Sequence, residues 1–206
     1  MITNWINQKY LENPQQYQEL FLNAKPFEHL SLDNFLTDDK ANILLEEIRN
    51  LDYYLEDHDL YQFLRTIDFK EIKKNNTLIE NLYEFIFSEE FIFFIEELTG
   101  TKISRKKGDL HSLKLLDTHY LLCHDDQVQG RYLAFIINLS DNMGLENGGA
   151  LELFDEQNNR PKDIVKQVFP QFNQFNIFLV SDTSFHQISE VIDNVTRESI
   201  SGWFYK

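Results

Sequence analysis

With 206 residues, 42% hydrophobic and 26% charged, the chain has the length and balance of one folded domain with a buried core, and no apolar run approaches the roughly 20 residues a membrane-spanning helix needs. A net charge of −15, from 34 acidic against 19 basic residues, argues against direct nucleic-acid binding, which calls for a basic patch, and suits a basic protein partner. The single cysteine, Cys123, precludes an internal disulfide, and residues 1–25 lack a basic start followed by an apolar stretch, so a cytoplasmic protein is expected.

The predicted elements run from helical to extended. Trp5, Ile6, Tyr10, Leu11, Tyr17, Leu20 and Phe21 recur at roughly helical spacing up to Pro26. Residues 27–35 read as a short extended segment. A second helix is predicted from Thr37 or Asp38, with acids in its first turn and Ile43, Leu44, Ile48 and Leu51 as its buried face. Helices over 77–87 and 88–98 follow, the last stopped by Gly100, and the phenylalanine-rich stretch 85–94 reads as core or helix interface. Beyond residue 100, β-rich runs appear at 111–116, 119–124, 131–139, 150–154, 175–180, 185–191 and 199–205. Turn signals at Gln129-Gly130 and over 146–149 separate them, and Arg105-Lys106-Lys107 reads as a solvated turn before Gly108. The expectation is an α+β chain: a double-stranded β-helix (jelly roll) core over about residues 101–206, with a mainly helical layer over about 1–100 packed outside it. No repeat or linker interrupts it, so 1–206 is expected to be a single domain.

Three residues suggest a metal centre. On an extended strand, His124 and Asp126 would project to one face while Asp125 points away. An imidazole and a carboxylate so placed can grip one cation, and His186, sixty residues further on in "SDTSFHQISEV", supplies a third ligand. Two histidines and one carboxylate leave an octahedral face free, the arrangement used by non-haem Fe(II) oxygenases. His-x-Asp alone is a common pattern; Arg197, eleven residues past His186 at the head of "RESISGWFY", strengthens it. An arginine entering a buried strand needs an anion, because an unpaired buried charge is costly, and its planar guanidinium suits a carboxylate. That carboxylate could be an internal Asp or Glu, or a ligand. His111 and His119 read as packing or surface positions, Cys123 as a core thiol, and Asp125 as a surface residue or a hydrogen-bond partner of a ligand histidine or a substrate.

From about Phe27 to Lys206 the chain resembles the catalytic domain of the eukaryotic ribosomal prolyl hydroxylases, within the Fe(II)/2-oxoglutarate oxygenases. The likeness is carried by "LLCHDDQVQGRYLAFIINL", "GGALELF", "RPKDIVKQVFPQFNQFNIFLVSDTSFHQISEV" and "RESISGWFY", and continues upstream in "KPFEHLSLDNFL" and "DLYQFLRTIDF". It implies His124, Asp126 and His186 as Fe(II) ligands and Arg197 as the partner of the distal carboxylate of 2-oxoglutarate. It also implies Ser201 as a hydroxyl donor to that carboxylate, with Leu151 and Trp203 lining the cosubstrate pocket. Two pocket tyrosines of the family are replaced here, by Leu115 and Asn138; Tyr120 or the Asn138 amide could fill the gap. The implied reaction is hydroxylation with O₂, releasing succinate and CO₂, with ascorbate as a candidate reductant. The implied substrate is a prolyl residue in a protein, in particular a basic ribosomal one; a free amino acid or other small molecule is the alternative. The larger members carry a second, non-catalytic domain, which this chain is expected to lack. Oligomeric state is left open.

Overall fold

The computed structural model describes residues 1–72, 77–106, 108–128 and 130–206, so the expected turn residues Lys107 and Gln129 lie outside it. The α-helices are α1 (Pro14–Leu22), α2 (Asp38–Arg49), α3 (Leu78–Ile86) and α4 (Glu89–Thr99). The strands are β1 (His29–Asp33), β2 (Tyr54–His58), β3 (Tyr61–Arg65), β4 (Leu110–Leu115), β5 (Tyr120–His124), β6 (Arg131–Asn138), β7 (Leu151–Glu156), β8 (Pro161–Val168), β9 (Gln174–Leu179), β10 (His186–Ile188) and β11 (Arg197–Tyr205).

Local chemistry sets the helix ends. Thr77 and Glu80 form a reciprocal capping box at the start of α3, Ser88 Oγ accepts from Phe91 N at 3.2 Å to open α4, and Gly100 closes α4 at φ +71°. The Glu47 carboxylate, near the end of α2, accepts from Leu78 N and Ile79 N at 2.9 Å each, joining two helices through the first turn of α3. Of the expected face of α2, Leu44 and Ile48 are buried, but Ile43 is 46% exposed and Leu45 and Ala41 turn inward instead. The first expected helix is shorter than its spacing suggested. It starts only at Pro14, a favoured first helical residue, and the upstream aromatics sit on 3₁₀ turns.

All strand pairings are antiparallel, in the order β1-β9-β6-β11-β4-β3-β5-β10-β7-β8, with β2 pairing β3. This barrel-like sheet wraps a cavity and presents its outer face to the helices: the expected jelly roll. The outward residues Phe135, Ile137, Phe175 and Ile177 join Phe91, Ile95 and Leu98 of α4 in one apolar cluster. Phe35 stacks on Phe175 at 4.3 Å between centroids. Each fully buried phenylalanine contributes roughly 1.5–3 kcal/mol relative to exposure. Inside the sheet a second cluster gathers Phe27, Leu115, Leu151, Leu153, Phe178 and Ile188.

Two parts of the sheet were not predicted from the sequence. The β2–β3 hairpin falls in the half expected to be mainly helical, yet it bridges the two halves of the sheet through β4 and β5. Strand β8 is an exposed edge along all but its last residue. Strands β2 and β8 pack no face against a core, and β3 is half-buried at every position, so none of them carries the alternation of buried and exposed residues by which strands are recognised.

Candidate metal and cosubstrate site

The cavity, of about 290 Å³, lies at the lower end of the roughly 300–1,000 Å³ usual for small-molecule sites. Its two functional ends are built differently.

At one end His124 closes β5 and His186 opens β10, and these two residues face each other in register. Asp126 reaches the same place by another route. It is not on the strand but two residues past its end, at φ +62°, a left-handed conformation that costs a non-glycine residue energy and clusters at functional sites. Shared strand parity, the reason given for pairing His124 with Asp126, is therefore replaced by a turn. Potential ligand atoms of the three residues lie within 4.8 Å of one another. The Asp126 carboxylate stands 3.6 Å from His124 Nε2 and 3.6 Å from His186 Nε2. Both rings are aimed by the main chain: each Nδ1 meets a carbonyl at 2.8 Å, Leu122 O for His124 and Ser184 O for His186. A carbonyl only accepts, so Nδ1 carries the proton and the Nε2 lone pair faces inward. Trp203 Nε1 donates to Asp126 Oδ2 at 3.0 Å, and the Arg131 guanidinium lies 3.5 Å above the same indole and 3.6 Å from Asp126 Oδ1.

The electrostatics fit a cation. Burial, then the neighbouring His124, pushes His186 down to about 4, so it is neutral and free to ligate. Burial alone would raise the Asp126 carboxyl, but His124, His186 and the indole hydrogen bond outweigh it and hold it below the usual carboxylate range. Burial would likewise lower His124, but the Asp126 carboxylate more than compensates and raises it.

The other end is cationic and nearly dry. Arg197 is 2% exposed, and burial pushes its guanidinium down to about 10, still charged at neutral pH. It donates to Gly149 O from Nε at 2.9 Å, to Ser199 Oγ from Nη1 at 3.1 Å and to Asn138 Oδ1 from Nη2 at 3.0 Å. All three acceptors are neutral. Among the described residues no Asp or Glu pairs with it, so the internal salt bridge left open by the sequence does not form. Five N–H groups less three leave two, one on each terminal nitrogen, the fork that grips a carboxylate. Arg197, Ser201 and Trp203 alternate along β11 with their side chains on the cavity wall.

The remaining expected site residues fall as follows. Leu151 is buried opposite Ile188 in the inner cluster and is not among the residues lining the cavity; it backs the wall rather than forming it. Asn138 touches Arg197 rather than the cavity, and Leu115 lines the cavity while Tyr120 does not. Asp125 holds its own turn by accepting from Gln127 N at 3.0 Å. Among the lining residues that the sequence did not single out are Arg131, beside Asp126, Tyr61 and Phe63 of β3, stacked at 5.0 Å, and His111, directly across from Ser201 on β4. The odd-numbered run His111, Leu113, Leu115 could have revealed His111; nothing local marks the hairpin.

Residues 111–205 match the 2OG-Fe(II) oxygenase superfamily. With the jelly roll and the His124–Asp126–His186 cluster, this makes the chain a member of that family, whose cofactors are Fe(II) and 2-oxoglutarate. More particularly, it is 36% identical over 195 residues to mouse prolyl 3-hydroxylase OGFOD1, covering 93% of this chain and 35% of that protein. It is 30% identical over 199 residues to prolyl 3,4-dihydroxylase OGFOD1 of Ostreococcus tauri, covering 89% and 39%. The chain thus spans little more than a third of the length of the curated relatives it matches. In fold it is similar to a Pseudomonas putida prolyl-4-hydroxylase, with a TM-score of 0.72 at 14% identity over 93% of this chain and 99% of that one.

Proposed function

We propose that the chain hydroxylates a prolyl residue of a protein inside the cell, its best-fitting substrate being a basic ribosomal segment. The observation that carries this reading is a buried arginine without an acidic partner, in the same cavity as two histidines and a carboxylate. Fe(II) would be held by His124, Asp126 and His186, and the distal carboxylate of 2-oxoglutarate by Arg197 with Ser201. When bound, this pair supplies oxygen chemistry, in which O₂ oxidises 2-oxoglutarate to succinate and CO₂ and a C–H bond receives oxygen.

The chain's own residues do the rest. The carbonyls of Leu122 and Ser184 lock the ring tautomers, and Trp203 orients Asp126 by occupying Oδ2. Apolar walls from Leu113, Leu115, Ile136 and Phe178 keep water from the interior. Tyr61 and Phe63 offer aromatic surface for a prolyl ring. The relatives' names support the prolyl reading, and the net charge of −15 suits a basic partner.

Ribosomes from cells with and without the protein should differ by the mass of one oxygen atom on a proline of a ribosomal protein. Purified protein should release succinate only with Fe(II) and 2-oxoglutarate present. An unchanged ribosomal proteome would refute the substrate; absent succinate release would refute the activity.

A further inference from the structure

The polar contacts of Arg197 continue past its nearest neighbours. Asn138, which accepts from Nη2, donates through Nδ2 to Gln174 Oε1 at 3.1 Å. Gln174 in turn donates through Nε2 to Asp33 Oδ1 at 3.0 Å. These side chains form one transverse row: Ser199 is registered with Asn138, Asn138 with Gln174, and Gln174 with Asp33, across β11, β6, β9 and β1. Asn138 and Gln174 are 1% and 4% exposed, whereas Asp33 is exposed at the sheet edge.

The direction of the row is dictated at both ends. A carboxylate only accepts, so Gln174 must present its amide nitrogen to Asp33 and its oxygen to Asn138. A guanidinium only donates, so Asn138 must present its oxygen to Arg197 and its nitrogen to Gln174. Reversing either amide would set donor against donor or acceptor against acceptor. The constraint leaves a mark nearby. Asn176 also donates to Gln174 Oε1, at 3.2 Å, and its own Oδ1 is buried without a partner, an unfavourable arrangement retained where the neighbouring acceptor is already oriented.

We propose that Asp33, Gln174 and Asn138 are positioning residues for the anion site. On this proposal the remote Asp33 carboxylate polarises an amide chain that holds the Arg197 guanidinium in its carboxylate-gripping orientation. Chains of hydrogen bonds in a low-dielectric interior polarise one another. The row offers Arg197 strengthened neutral acceptors without placing a competing carboxylate against it, so the remaining N–H fork stays free for ligand. The inference rests on the reading that Arg197 binds the distal carboxylate of 2-oxoglutarate.

Calorimetric binding of 2-oxoglutarate to the Mn(II)-loaded protein, which does not turn over, tests it. Asp33→Asn removes the charge that polarises the row while keeping an oxygen that can accept from Gln174; Gln174→Met cuts it at similar length. Expected are Kd increases of about threefold and about tenfold, with the double variant no weaker than Gln174→Met alone, because residues acting through one network are non-additive. Asp33→Asn, at an exposed position, should leave the melting temperature within about 2 °C of wild type. Unchanged Kd in both single variants, or losses that multiply in the double variant, would overturn the relay. Arg197→Met separates this from the underlying reading: if it binds 2-oxoglutarate as wild type does, the anion-site assignment itself falls.

Discussion

The two ends of the cavity satisfy their charges in opposite ways. The metal end carries its own balance: a carboxylate between two imidazoles, with Arg131 alongside and an indole hydrogen bond on one oxygen. The arginine end does not. Arg197 is surrounded by a backbone carbonyl, a hydroxyl and an amide, and its charge meets no acid among the described residues. A buried cation so left is costly, and the folded protein bears that cost as an affinity for an anion. One end is thus assembled before any ligand arrives, while the other is completed by its ligand.

Asp126→Ala should produce the largest loss. Metal affinity and succinate release should fall by about 100-fold or more, measured with Mn(II) or Co(II) binding and with turnover. The metal-free variant should also melt lower, since the carboxylate holds two imidazoles and Arg131 together. Arg197→Met should abolish 2-oxoglutarate binding almost as completely, by about 30-fold or more, but its ligand-free melting temperature should hold or rise as an uncompensated buried charge disappears. Opposite signs in the two melting experiments are the signature of the asymmetry; equal losses would erase it.

Gly149→Ala probes the arginine end more gently. Gly149 sits at φ +67°, and an added Cβ would lie 3.1 Å from Arg197 Cδ and 3.0 Å from the Met143 methyl. Destabilisation of about 1–2 kcal/mol and a several-fold weaker Kd for 2-oxoglutarate are expected, with metal affinity unchanged.

Glu96 is the comparison outside the cavity, and the effect on turnover should be smallest there. Arg105 is the main influence on it; burial opposes, and the Ile103 amide and Lys102 add to Arg105, so its carboxyl is lowered to about 2. A depressed acid stabilises the fold above its unfolded pKa of roughly 4.3, and that contribution is lost as pH falls from there toward 2. Glu96→Gln should flatten the stability curve in this acid window and cost about 1 kcal/mol near neutrality, leaving 2-oxoglutarate affinity unmoved. A changed affinity would mean that the site is coupled to the helical layer.

Much of the site was legible because its chemistry is concentrated in a few residue types. His124, Asp126, His186 and Arg197 were visible as a set because metal ligation and carboxylate recognition each demand them. The period-two runs that carry β4, β6, β9 and β11 were visible because those strands bury one face or both. The β2–β3 hairpin and β8 were not, since β2 and β8 lie largely in solvent and β3 is half-buried along its whole length, so no periodic burial constrains their residues. His111 passed for a packing or surface residue because its parity with Leu113 and Leu115 reveals only a shared face, and the register with β11 is what sets that face beside Ser201.

What the amino-acid sequence determined by itself was the inventory: an α+β chain, a set of metal ligands by residue type, and an arginine that must find an anion. Only the tertiary structure decided that Asp126 arrives from a left-handed turn rather than a strand, that no acid among the described residues meets Arg197, and that Ser199, Asn138, Gln174 and Asp33 line up across four strands. These depend on register between segments far apart in the chain, set by the packing of whole sheet faces, and local sequence carries no record of which residue will stand opposite which.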